Sequence, residues 1–272
     1  MAALVGLIGV LGAAGIAAVV SHVAGRQSNR RLRLDAAMRA GGLLEPGPSG
    51  HADPAASASG LLALTQLNHA QLAVALLVDV WSDRKDGEDR VSSETAILVI
   101  DAALRSDEEN AQLIAAELLC RNAKRLDPCQ SLHWPSAVDG HWLPRLGPKA
   151  KLLLLDGIVL MTVSSASNPN ALRSVAVRLY GAYDGDPDPN VKGCVGTLIK
   201  AILPELEKLH YTEFMQGSRL VSLAQLRSAA AAAAPNPDRY LAQVVQDRSS
   251  KLRDWAARCS HEVATAAGAL AH

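Results

Sequence analysis

From Leu61 onward, apolar residues recur at the three- and four-residue spacing of helices, and no segment alternates apolar and polar side chains between hairpin turns. Four Trp, four Tyr and one Phe are all the aromatic material in 272 residues, so the residues that sheets favour are scarce. The pattern predicts an all-α protein. LLALTQLNHAQLAVALLVDVW reads as one buried helix, because Gln66, Asn68, His69 and Gln71 argue for a protein interior rather than a second membrane span. Two helical segments follow, broken at Ser106-Asp107, where an acid suits a cap and first turn. KAKLLLLDGIVLMTVSSAS, ALRSVAVRLYGAY and NVKGCVGTLIKAILPELEKLH supply three more. TEFMQGSRLVSLAQLRSAAAAAA and the segment after Pro237 also read as helical. In the last helix Leu241, Val244, Val245, Leu252, Trp255 and Ala256 share an apolar face that caps the core, or lies on a partner or membrane.

Residues 1–25 carry no charged side chain and run into a flank holding Arg26, Arg30, Arg31, Arg33 and Arg39 against Asp35. A helix over Ala2 to Ala24 would be roughly 34 Å long, enough for a hydrocarbon core of about 30 Å. The expectation is a single-pass transmembrane helix in the cell membrane, contacting lipid directly. The arginines then place the N-terminus outside and the main domain in the cytoplasm. A cleaved signal peptide fits less well, since the basic n-region is missing. Gly6, Gly9, Gly12 and Gly15, with Ala13 between them, form a small-residue stripe of the kind through which membrane helices pair. A homodimer is one reading of that stripe; the other is chance placement in an Ala-rich chain.

Residues 26–60 combine the basic flank with a Gly-, Pro- and Ser-rich stretch that reads as a flexible linker, and residues 61–272 form the soluble domain. That domain is close to neutral, so no basic field marks it for nucleic acid. Cys120, Cys129, Cys194 and Cys259 show no paired framework, which suits a reducing compartment.

Two helices begin alike. Asn168-Pro169-Asn170-Ala171-Leu172-Arg173 precedes one, and Asp188-Pro189-Asn190-Val191-Lys192 the other; Ser106-Asp107-Glu108-Glu109-Asn110 is a fainter third copy. An acid or amide caps, Pro opens the helix, and a small apolar stripe packs on the neighbouring unit. Over residues 89–210 this resembles the unit starts of HEAT and armadillo repeat proteins, which implies a helical solenoid with a concave partner-binding face. The copies lie at unequal spacing, so an irregular helical bundle stays open.

Motifs of catalysis are missing: no G-x-S-x-G, no phosphate-binding glycine loop and no H-E-x-x-H occurs. Asp184, Asp186, Asp188 and Asn190 imitate the start of a calcium loop, but Pro189 stands at the obligatory glycine and Val195 at the closing glutamate, so a capped turn explains them better. Cys120, Cys129, His133 and His141 lack zinc-ligand spacing. No catalytic residue, metal or cofactor is assigned. His210 reads as a helix C-terminal residue rather than a base.

The segment from Asp127 to Lys149 is long for a helix connection and carries Trp134 and Trp142 in matching His-Trp settings, with Arg145 nearby. Trp134, His141, Trp142 and Arg145 are the candidate partner-binding residues, since Trp and Arg are common interface anchors. Indoles folded back to plug a gap are the alternative. The sequence therefore favours a membrane-anchored helical scaffold that recruits a protein partner. A helical enzyme or small-ligand protein with its site between helices is the second reading, and a self-associating structural membrane protein the third.

Overall fold

Pro54, rather than Leu61, opens the first long helix. In the computed structural model, which describes residues 35, 38–42, 53–81, 91–136, 143–216, 219–232 and 239–269, the Asp53 carboxylate accepts the Ala55 N–H at 3.0 Å and Pro54 takes the first helical position. Both are ordinary helix-start devices. The last seven residues of the stretch read as linker are thus helical, and Ser57 and Gly60 are buried in it. Helix α1 (Pro54–Gln66) stops after Gln66, and Asn68 adopts φ 62° before α2 (Ala70–Val80) begins. Asn tolerates the left-handed region better than most residues, which is how an apolar run read as one helix becomes a helical hairpin.

Helix α3 (Ser93–Leu104) is capped by Ser92, whose hydroxyl accepts the Thr95 N–H at 3.3 Å. Helix α4 (Glu109–Asn122) follows the expected break, but Asp107 does not cap it; the Ser106 hydroxyl instead accepts the Glu108 N–H at 3.4 Å. Short 3-10 turns at Ala123–Arg125, Ser131–His133 and Leu143–Arg145 carry the chain to α5 (Pro148–Ser164). Helices α6 (Pro169–Gly185) and α7 (Pro189–Lys208) start as their sequences predict. Asn168 accepts the Ala171 N–H at 2.7 Å and Asp188 the Asn190 N–H at 2.9 Å, each followed by Pro. His210, at φ 56°, closes α7.

The expected helix after α7 gives way to an antiparallel hairpin of β1 (Glu213–Gln216) and β2 (Arg219–Ser222), with Phe214 opposite Val221 and Met215 opposite Leu220. Phe214 and Val221 are fully buried, while Met215 and Leu220 face outward, so a period of two replaces the helical one. A capping box of Ser222 and Gln225 then starts α8 (Leu223–Ala231), and α9 (Arg239–Ala269) ends the described chain. Among the described residues the protein is all-α apart from this one hairpin.

Packing is local through the first half. Helices α1 to α4 touch both their nearest and next-nearest neighbours, and α4 packs most extensively on α5. Gly157 makes that approach close: a Cβ there would lie 3.3 Å from the Cys120 amide nitrogen and sulfur. The order then changes, because α9 returns from the far end of the sequence to pack on α5, α6 and α7. Its Leu252, Trp255, Ala256 and Cys259 are fully buried, as the apolar face predicted for Leu252, Trp255 and Ala256; Val245 is half-buried. The side chains of Leu241 and Val244 lie outside the described residues.

No helix among the described residues is long and apolar enough to cross a membrane. The expected transmembrane helix over residues 1–25 and its stripe of Gly6, Gly9, Gly12, Gly15 and Ala13 lie outside the described residues.

Glu205 fastens α9 to α7. Both carboxylate oxygens accept from Lys208 Nζ at 2.8 Å, and Ser260 of α9 donates its hydroxyl to the same group. Burial pushes the carboxyl up, but the bonds from Lys208 and Ser260 outweigh it and hold its pKa below the usual glutamate value. A group whose folded pKa is lowered stabilises fully above its unfolded pKa, about 4.3, and loses that contribution as pH falls through the folded value. Urea unfolding should therefore show wild type ahead of Glu205→Gln above about pH 5, with the gap closing on further acidification. A gap independent of pH would mean that the charge contributes nothing.

Candidate functional site

A cavity lies where α9 covers the groove between α5 and its neighbours. Leu113 of α4, Leu152, Leu153, Leu155 and Val159 of α5, Cys194 and Leu198 of α7, and Val245 of α9 supply its apolar wall. Its volume is about 460 Å³, within the range of small-molecule sites. The α5 pattern explains it: LLLLD offers more aliphatic surface than one neighbour can cover, so Leu154 is fully buried while Leu152 and Leu153 stay half-exposed toward the cavity.

Three charged groups meet this wall. Asp156 of α5 and Arg248 of α9 form a bidentate pair, the guanidinium donating through Nε and through Nη2, the latter at 3.1 Å. The pair neutralises itself while tying α9 across the cavity. Lys149 stands exposed at the entrance, in the first turn of α5.

The two thiols nearby are not activated. Burial, with a smaller push from the Asp156 charge, raises Cys120 to about 12, and its Sγ–H donates to the Leu153 carbonyl at 2.8 Å. Burial likewise pushes Cys194 above the usual thiol range, with Asp188 adding to it. Thiols held protonated at neutral pH are neither good nucleophiles nor metal ligands. The cavity thus offers apolar surface, one self-neutralised ion pair and one cation. A second cavity of about 290 Å³ between α2 and α4 is smaller, and Asp79, Glu117 and Arg121 line it beside four apolar residues.

The segment expected to hold the site is built differently. Trp134 is 4% exposed; its indole N–H donates to the Pro128 carbonyl at 2.9 Å, and the Arg178 guanidinium lies over its ring at 5.2 Å. Ser174 of α6 donates to the same carbonyl at 2.9 Å, so the loop is fastened onto α6. Trp134 is buried, in the folded-back arrangement that is the alternative to a surface anchor. His133 is fixed as well, its Nδ1 accepting the Asp127 N–H at 2.9 Å and its Nε2 lying 3.5 Å from Glu94. Arg145 is exposed in the 3-10 turn before α5. His141 and Trp142 lie outside the described residues.

The remaining candidates have structural partners. Asp184 pairs with Arg219, Asp186 with Lys151, and Asp188 caps α7, which accounts for the calcium-like spacing. Cys120 sits against α5, whereas Cys129 is exposed with its sulfur 3.7 Å from the Asn168 amide nitrogen, so the zinc-like set is not brought together. No cluster of three metal-ligating side chains occurs among the described residues.

Sequence reasoning missed the cavity because its wall joins residues from Leu113 to Arg248. The only legible signal was the aliphatic excess of α5 around a single Asp156. No protein-family model matches the chain, and neither a curated protein nor a solved structure shows significant similarity to it.

Proposed function

We propose that this protein binds a small apolar or amphiphilic ligand in the cavity between α4, α5, α7 and α9. The observation that carries the reading is an aliphatic cavity of about 460 Å³ with only three charged side chains, Lys149, Asp156 and Arg248, on its lining. Sites of this kind hold ligands by apolar burial, while one or two charges fix orientation. The buried indole of Trp134 gives less support to recruitment of a protein partner through its loop, the reading the sequence favours.

The wider setting keeps two parts of the sequence reading as proposals. A membrane helix over residues 1–25 would hold the domain at the cytoplasmic face, where apolar ligands concentrate; fractionation with alkaline extraction tests it. A HEAT-like stack over residues 89–210 is the second; contacts between next-nearest helices, which hairpin repeats also make, favour it only at the start of that range, where α4 touches α2.

Photolabelling tests the ligand reading. Full-length protein illuminated with a dodecanol bearing a diazirine in its chain should be modified on peptides of α5, α7 and α9 that line the cavity. Leu152→Trp, at a half-exposed wall position, should reduce that labelling severalfold while leaving the helical circular dichroism unchanged. Labelling spread evenly over other apolar surfaces would refute the reading.

A further inference from the structure

The charges at the cavity are unbalanced in one direction. Arg248 and Asp156 satisfy each other through two hydrogen bonds. Lys149 faces the same space, and no carboxylate among the described residues forms an ion pair with it. The first turn of α5 contains no acid, and a carboxylate at that end, Glu109 of α4, packs against Gly147 and forms no ion pair with Lys149. An ammonium without an ion-pair partner on the lining of an aliphatic cavity makes sense where a ligand supplies the counter-charge.

We infer that the cavity takes a single-chain carboxylic acid, with the aliphatic chain along Leu152, Val159 and Leu198 and the carboxylate at the ammonium of Lys149. This rests on the ligand-binding reading above and adds the head group to it. One unpaired cation balances one negative charge, which matches a carboxylate; a phosphate monoester brings nearly two. The Asp156–Arg248 pair stays closed beneath the chain, because opening it would strand Asp156 in partly apolar surroundings. A cationic head group is disfavoured by Lys149, and a neutral one leaves the ammonium uncompensated.

The test compares two probes in one preparation of full-length protein: the diazirine-bearing dodecanol and the matching dodecanoic acid, both above pH 7. An exposed ion pair changes affinity by up to about fivefold. In Lys149→Gln the ratio of acid to alcohol labelling should fall about two- to fivefold, and in Lys149→Glu further, with alcohol labelling unchanged in both. Lys149 is exposed, and Glu suits the first turn of a helix, so neither variant endangers folding. A ratio unaffected by both variants overturns the head-group assignment while leaving the cavity reading intact. Stronger labelling by a lysophosphatidic acid of the same chain length than by the dodecanoic acid overturns the carboxylate. Failure of both dodecyl probes to label the cavity overturns the ligand reading itself, and the inference with it.

Discussion

Replacing Asp186 by Ala is expected to destabilise the protein by about 3–5 kcal/mol, the usual cost of breaking a buried ion pair from one side. Asp186 is fully buried at the end of α6, and its Oδ2 lies 2.8 Å from Lys151 Nζ on α5, itself buried. Its other oxygen accepts the Asp188 N–H at 2.9 Å and so holds the turn into α7. Removing the carboxylate leaves an ammonium in the interior without a counter-charge and frees a turn amide. Because α5 and α6 share little direct contact, this pair is one of few links between them. Against a typical total stability of about 5–15 kcal/mol, the loss would be visible as a large fall in the urea midpoint. Lys151→Met combined with Asp186→Ala should recover part of it, since two uncharged side chains need no pairing. If the double variant were as unstable as the sum of the single ones, the two residues would be uncoupled and the argument would fail.

Trp134→Ala is expected to cost about 3–5 kcal/mol, as large-to-small changes at buried aromatic positions do. Three contributions disappear together: the apolar area of the indole, its hydrogen bond to Pro128, and the stacking of Arg178 on its ring. Ser174 continues to hold the Pro128 carbonyl, so that acceptor is not orphaned and the cost stays within the packing range. Chemical denaturation measures it directly. A change under about 1 kcal/mol would mean that the ring behaves as a surface group, as an exposed docking residue would.

The two cases differ in how far a sequence can carry the argument. For Trp134 both outcomes were legible beforehand, since an indole in a long loop either faces outward or plugs a gap. Only the neighbouring helices decide between them. For Asp186 the sequence showed an alternating acidic turn and nothing of Lys151, which lies 35 positions earlier in the chain. The cavity is a stronger example. Leu113, Lys149, Cys194 and Arg248 come from four helices, and no local spacing rule links them.

What the sequence determined by itself was the local structure. Asn168-Pro169 and Asp188-Pro189 start α6 and α7 because a short polar side chain satisfies a first-turn N–H and Pro needs no acceptor there. The aliphatic runs fill helices with buried faces, and the scarcity of strand residues leaves one short hairpin among the described residues. These outcomes depend on neighbours within a few positions, where periodicity and capping act. The tertiary structure decided what depends on distant neighbours. It returned α9 to cover α5 and α7, closed the Lys151–Asp186 and Asp156–Arg248 pairs, buried Trp134, and left an aliphatic cavity with Lys149 at its entrance. Burial and charge pairing are properties of surfaces that meet, and which surfaces meet is fixed only when the whole chain has packed.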